Sequence, residues 1–404
     1  VNIVAVCDVD QTLVEATYKR AAELKATSQL TAADLTSVPL FQDYREMFAK
    51  MSGQIDAVTV STPDHHHFPA AMMAIQRGKH VYVEKPLTHS VGEARALRAA
   101  AKQKGIVSQM GNQGRATDGI RLMKEWVDAG VLGAVRQVHA WSPEFPERYF
   151  KRPTGLPLAA ETPPATLNWD LWLGPAQQRP YNSLLAPVTW RGWWDFGNGM
   201  LGDWACHTLD APFWALDLGA PTAVEAKVSE VSTEISPLTA EVTYHFPARG
   251  SRPPVVLKWF EGNGQKPPTP RNWEDDTKKP GLPERGMFML GEKATLFAPG
   301  GRPDSPRLLG TAVMEEFKKN RPPASIPRVV GGPVKEWINA IAKVGPMPGS
   351  NFEYSVPLSE MVLLGVVAMR TGKRLEWDAK AGRITNDPKL NRYVEIAARA
   401  GWKV

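Results

Sequence analysis

Residues 80–90 read HVYVEKPLTHS. The run Val81-Tyr82-Val83 has the β-branched and aromatic content of a short buried strand, and the charged pair Glu84-Lys85 follows at once. Pro86 cannot donate to a sheet ladder and biases Lys85 toward an extended conformation, so the strand ends with both charges at its tip. In an open parallel sheet, ligands bind beyond the carboxyl ends of the strands. A lysine fixed at such a tip is placed to meet one.

The flanks agree with a parallel sheet. Residues 2–8 (NIVAVCD), 55–61 (IDAVTVS) and 106–110 read as further buried strands. Between them the spacing predicts helices over 11–27, with Leu13, Ala16, Ala21 and Leu24 as its stripe, 41–51, about 68–77 stopped by Gly78, 91–104, and 118–129 ending at Gly130. Strands alternating with helices imply βαβ units and a doubly wound α/β domain over 1–133. After Gly133 the rhythm changes. Residues 134–141 (AVRQVHAW) alternate like a half-buried strand, and a Pro- and Trp-rich stretch covers 142–194. Further strands are expected at 223–230, 240–246, 255–261 and 287–290, loops at 262–285 and 299–306, and helices at 334–342 and 358–371. Strands beside turn-rich segments predict an open, mostly antiparallel sheet in an α+β domain over 134–404.

Composition excludes several classes. The 404 residues are 43% hydrophobic, enough for ordinary cores. The charge is +6, but 48 basic and 42 acidic residues are interspersed, so no nucleic-acid footprint is expected. The two cysteines, Cys7 and Cys206, are too few for a disulfide framework or a zinc finger and leave the compartment, cytoplasmic or exported, open. No run of about 18 apolar residues or secretory h-region is visible, so no membrane span is expected. Because Val1 stands inside a predicted strand with no initiator Met, the expectation is that a preceding segment, with any targeting signal, lies outside this sequence.

Residues 197–210, GNGMLGDWACHTLD, form the second constellation. On a helix, Asp203, His207 and Asp210 stand at i, i+4 and i+7 and share a face. An acid beside a histidine suits proton transfer, since the carboxylate orients the imidazole or shares a substrate hydroxyl with it. A metal site is the weaker reading, because no second ligand cluster stands out. The bland alternative is a helix-capping aspartate followed by a core histidine; Lys85 tips the balance toward catalysis. The triple His65-His66-His67, read as neighbours in a turn, cannot converge on one metal ion without further ligands.

These segments, with Ser61-Thr62-Pro63-Asp64 and Gly78 through Pro86, resemble the glucose–fructose oxidoreductase/inositol dehydrogenase (Gfo/Idh/MocA) family in the same order along essentially the whole chain. The resemblance implies a Rossmann domain followed by an α/β domain, and NAD(P)-dependent transfer of a hydride at a sugar or cyclitol hydroxyl carbon. It implies Lys85, Asp203 and His207 as catalytic residues, the histidine as base. It places Asp8 on the adenosine ribose, favouring NAD over NADP. Ser61, Thr62, Pro63, His67, Glu84, Asn112 and Arg115 would also face the cofactor, although a solvated loop charge is the bland reading of Arg115. It also implies a cis Lys85–Pro86 peptide and a dimer or tetramer formed through the open face of the second sheet. The family's Gly-rich turn after its first strand is absent from this sequence, which would begin at the second strand.

Among the many tryptophans near the second constellation (Trp169, Trp172, Trp190, Trp193, Trp194, Trp204 and Trp214), packing is the general expectation. Trp190, Arg191 and Tyr149 are the expected substrate contacts. Within the same resemblance, an NAD-dependent glycosidase working by transient oxidation and elimination is the rival activity, and a non-catalytic sugar-binding protein a second rival.

Overall fold

The computed structural model describes residues 1–27, 38–143, 147–271, 273 and 281–404. Three parallel strands, Ala57–Val60, His80–Val83 and Ser108–Met110, lie side by side in that order. Val60 pairs with Val83, and Val83 with Met110, so Ser61, Glu84 and Gly111 leave the sheet along one edge. Val81 and Val83 are fully buried, each side chain contributing about 2 kcal/mol of hydrophobic stabilisation. Val6–Cys7 and Leu40–Phe41 pair in parallel as a separate two-stranded piece, with Asp8 at its end.

Several expected boundaries move. The first strand is only Val6–Cys7 rather than 2–8. Phe41 ends a strand instead of starting a helix, because Asp43 caps the helix Tyr44–Met51 by accepting from the Arg45 N–H. The helix Gln11–Thr27 is present, but Leu13 is exposed and Val14 is buried in its place; the side chain of Leu24 lies outside the described residues. The helix expected from about residue 68 begins at Asp64, so the three histidines occupy its opening turns rather than a separate turn. Parts of the predicted loop 262–285, residues 272 and 274–280, lie outside the described residues.

The second sheet has nine strands among the described residues, in the order Arg307–Leu308, Thr295–Pro299, Gly286–Gly291, Val135–Ser142, Val255–Glu261, Ala240–Phe246, Ala223–Val228, Leu375–Asp378 and Arg383–Ile384. Val135–Ser142 and Val255–Glu261 run parallel; the other pairs are antiparallel. Four of these strands, Thr295–Pro299, Arg307–Leu308, Leu375–Asp378 and Arg383–Ile384, are additional to those expected.

The long helix is Phe352–Thr371, six residues longer at its start than expected, since Pro357 falls in its second turn and is tolerated there. It is long and apolar enough to cross a membrane, yet 83% of its apolar window is buried inside the fold, packed on the second sheet and on the helix Val91–Lys104. Gly365 permits that approach, since a Cβ there would stand 2.0 Å from the Tyr244 hydroxyl. Arg95 locks the two helices by a two-pronged bond to Glu360, at 2.7 and 2.8 Å.

Candidate active site

Lys85 leaves the middle strand through a cis peptide to Pro86. Its ammonium donates to Asp203 Oδ1 and to the Asp203 carbonyl, both at 2.6 Å. Asp203 lies on the helix Gly199–Thr208, where glycine at 202 makes room for Asn198, since a Cβ there would stand 2.2 Å from the Asn198 Cβ, while Pro86 would be in ordinary contact at 3.8 Å. Asn198, just before the helix, donates at 2.9 Å to the buried Asp64, whose carboxyl burial pushes up to about 7.

Burial alone would raise Asp203 as well. Lys85 and then Arg191, whose Nε is 3.5 Å from the carboxylate, outweigh that cost and hold Asp203 below the usual carboxylate range. Arg191 is steered by the rings of Trp190 and Tyr149, 4.4 and 4.7 Å from its guanidinium carbon. Trp190 is itself buried, in a second aromatic cluster with Trp172, Trp193 and Phe196. A cavity of about 530 Å³ is lined by Phe150, Arg152, Gly192, Ser236 and Asn263, with none of Lys85, Arg191, Asp203 or His207 in its lining.

His207 follows Asp203 by one helical turn and is buried. The helix stops at Thr208, and Asp210 opens a second one, Asp210–Ala215, so the expected three-residue face is interrupted at Leu209. Asp210 instead meets His207 through Asn112. Asn112 Nδ2 donates to Asp210 Oδ2 at 2.7 Å, and Asn112 Oδ1 is 3.0 Å from His207 Nδ1. A carboxylate only accepts, so it fixes which end of the amide faces it. The Asn112 oxygen then requires a hydrogen on His207 Nδ1, and Nε2 is left with its lone pair. Burial, then the cations Lys85 and Arg302, hold the imidazole well below its ordinary pKa, so it is neutral near pH 7. This is the protonation state of a general base.

Asp210 also accepts from the Tyr354 hydroxyl and has Arg115 Nη1 at 3.8 Å. Arg115 is no solvated charge: it is 6% exposed, between the rings of Trp214 and Tyr354 at 3.6 and 3.9 Å. Burial still pushes the Asp210 carboxyl up to about 6.

The histidine triple is structural hardware joining the first domain to the aromatic cluster. His65 and His66 both direct Nε2 at the Trp172 carbonyl, at 2.9 and 3.0 Å. His67 lies between the Thr62 and Pro86 carbonyls, each 2.8 Å from a ring nitrogen. It joins the two turns beside Lys85. No group of three or more His, Cys, Asp or Glu residues able to hold a metal occurs among the described residues.

Burial lowers His66 to about 4. The unfolded chain, with its histidine near 6.5, takes up this proton first on acidification, so the stability tied to neutral His66 is complete above about pH 6.5 and is lost as pH falls toward 4. For His66→Gln, urea unfolding should show a stability deficit at pH 8 that shrinks by about 2 kcal/mol at pH 5. A deficit independent of pH would refute this.

Arg302 is the residue that the sequence reading missed. Its Nη2 lies 3.4 Å from His207 Nε2, from a loop predicted only as a Pro- and Gly-rich connection. No motif marks it; only the packing of that loop brings it to the site.

Residues 2–112 match the family model described as an oxidoreductase family with an NAD-binding Rossmann fold, and residues 117–252 match its C-terminal alpha/beta domain. Levoglucosan dehydrogenase of Pseudarthrobacter phenanthrenivorans is 35% identical over 81 residues, 20% of this chain and 21% of that protein. The NAD(+)-dependent scyllo-inositol 2-dehydrogenase of Bacillus subtilis is 37% identical over 79 residues, 20% and 23% of the two chains. An uncharacterized oxidoreductase of Schizosaccharomyces pombe, 27% identical, is covered over 56% of its length, so the matched segments span from about a fifth to just over half of these curated relatives. The WlbA dehydrogenase of Bordetella pertussis, solved with NADH and UDP-GlcNAcA, shares the fold, with a TM-score of 0.60 at 16% identity over 93% of this chain and 91% of that one.

Proposed function

The chain belongs to the Gfo/Idh/MocA oxidoreductase family, and we propose that it is an NAD(P)-dependent dehydrogenase acting on a hydroxyl-bearing carbon of a sugar or cyclitol. The observation that carries this reading is the neutral, buried His207, whose Nε2 keeps its lone pair and faces the Arg302 guanidinium at 3.4 Å, next to the Lys85–Asp203 pair. Levoglucosan and scyllo-inositol dehydrogenases among its relatives point to the same substrate class.

The strand-tip residues fit a nicotinamide cofactor. The Thr62 hydroxyl is buried without a hydrogen-bond partner, and the glycine at 111 leaves room that a Cβ would take from the Glu84 carboxylate, 2.4 Å away. Ser61, Thr62, Pro63, Glu84 and Lys85 would hold the nicotinamide end and Asp8 the adenosine ribose, its charge disfavouring a 2′-phosphate and hence NADP; Asn112, expected at the cofactor, is fully buried between Asp210 and His207 and would act through His207. His67 would act through Thr62 and Pro86, and Arg115 through Asp210. When bound, NAD(P) supplies the hydride acceptor.

The chain's own groups do the rest. His207 Nε2 takes the proton of the reacting hydroxyl. Two N–H bonds of Lys85 go to Asp203, which leaves the third for the substrate oxygen as it gains negative charge. Asp203 aligns Lys85 and accepts from a substrate hydroxyl, while Arg191, backed by Trp190 and Tyr149, closes the substrate side.

The test follows reduced-nicotinamide absorbance across a panel of sugars, cyclitols and aryl glycosides. NAD reduction that disappears in His207→Asn is expected. Aglycone release without net reduction would instead mean the glycosidase, and neither signal would remove both. The finer partner reading is a dimer or tetramer through the open face of the second sheet, which a monomer in sedimentation velocity would exclude.

A further inference from the structure

Arg302 is held in place from both sides of its loop. Thr208 Oγ1 donates to the Gly301 carbonyl at 2.9 Å, and the Gly119 N–H donates to Asp304 Oδ1 at 2.9 Å. Gly301 packs so tightly on Trp204 that a Cβ would stand 2.6 Å from its ring, and a Cβ at Gly119 would stand 1.8 Å from the Asp304 carbonyl oxygen. The loop therefore presents Arg302 at the mouth, exposed, with its guanidinium 3.4 Å from His207 Nε2. It has no carboxylate within 4.0 Å among the described residues.

Its surroundings are already cationic. Trp204 carries two guanidinium groups, Arg285 at 4.0 Å and Arg302 at 5.7 Å from its ring centre; Arg285 Nε is buried without a hydrogen-bond partner and has Glu284 Oε1 4.0 Å away. Lys85 and Arg191 already share the single carboxylate of Asp203. Glu84 at the strand tip and the buried Asp64 are the other acids beside these cations. A neutral polyol would leave the Arg302 guanidinium without an anion in contact, whereas an anionic substrate would give it one.

We propose that the substrate carries a carboxylate, a sugar acid of the uronate or aldonate type, gripped by Arg302 while His207 holds the reacting hydroxyl on a nearby carbon. This rests on the dehydrogenase reading and narrows its substrate. The planar two-pronged donor of arginine matches a carboxylate, and the short span from Arg302 to His207 sets the carboxylate no more than a carbon or two from the carbinol.

The test compares D-glucuronate with D-glucose, D-galacturonate with D-galactose, and glucose 6-phosphate with both, by kcat/KM with NAD and by calorimetric binding to the NAD-loaded protein. The wild type should prefer the uronate over its neutral partner by at least about tenfold, the size of a charged contact worth 1.4 kcal/mol. Arg302→Gln should bring that ratio near one, chiefly through KM, and Arg302→Lys should keep part of it. The thermal midpoints of both variants should match wild type, as the side chain is exposed. An equal loss on acid and neutral sugars, or an equal preference for the phosphate, overturns the proposal. Saturable uronate binding that Arg302→Gln abolishes, with no turnover of any compound, would sink the dehydrogenase reading and leave the carboxylate site standing. Turnover with no acid preference would do the reverse.

Discussion

Lys85→Met should lower kcat/KM by about a thousandfold, roughly 4 kcal/mol of transition-state stabilisation. The ammonium sits at the strand tip with one donor left for the reacting oxygen, and its charge matters most when that oxygen becomes an alkoxide. The loss should therefore appear in kcat as well as in KM. The variant also strands Asp203, which is mostly buried and would keep only Arg191 at 3.5 Å; its carboxyl would move up, and the thermal midpoint should fall. The double variant Lys85→Met, Asp203→Asn separates the two effects. Removing the unpaired acid should restore the midpoint without restoring activity. A single variant that stays within tenfold of wild type would show that Lys85 is a structural counter-ion and not a catalytic group.

What could be read in advance follows from how local each signal is. The strand tip HVYVEKP was legible because burial, charge and proline lie within seven residues and one rule of sheet topology places them. The Asp203–His207 pair was legible because helical spacing is local too. The Leu209 break has only one local sign, Pro212 in the run CHTLDAP (residues 206–212); the rest of the separation comes from Asp210 turning toward Asn112 and Arg115 on one turn and Tyr354 on the long helix. Arg302 was invisible for the same reason, as its loop is positioned by Trp204, Thr208 and Gly119. The histidine triple misled because the turn at Thr62-Pro63-Asp64 was extended over it, whereas the helix begins at Asp64, directly after Pro63. Its partner, the Trp172 carbonyl, lies over a hundred positions away. Short edge strands such as Arg307–Leu308 and Arg383–Ile384 have only two residues each, too few to show a period.

Asn112→Leu should reduce kcat/KM by about a hundredfold while leaving the Lys85–Asp203 pair in place. The side chain is fully buried and touches no solvent; its amide passes the polarity of Asp210 to His207, and without it Nδ1 has nothing to fix its hydrogen. The imidazole then populates the tautomer with hydrogen on Nε2, which cannot accept the substrate proton. The same chain of bonds sets the pH dependence. His207 is held far below neutrality, so its own protonation does not limit activity near pH 6. Asp210 does titrate there, pushed up to about 6 by burial against the pull of Arg115, Tyr354, Arg121 and Asn112. Above that pH it is ionised and locks the amide; as pH falls through it, the acid takes a proton and the lock is released. The acid limb of kcat/KM should therefore bend near pH 6 in the wild type. In Asp210→Asn the limb should lose that bend, at a lower plateau, because the new amide no longer dictates which way Asn112 points. Should Asp210→Asn keep an acid limb at the same pH, the limb belongs to another group and the relay does not set the state of His207.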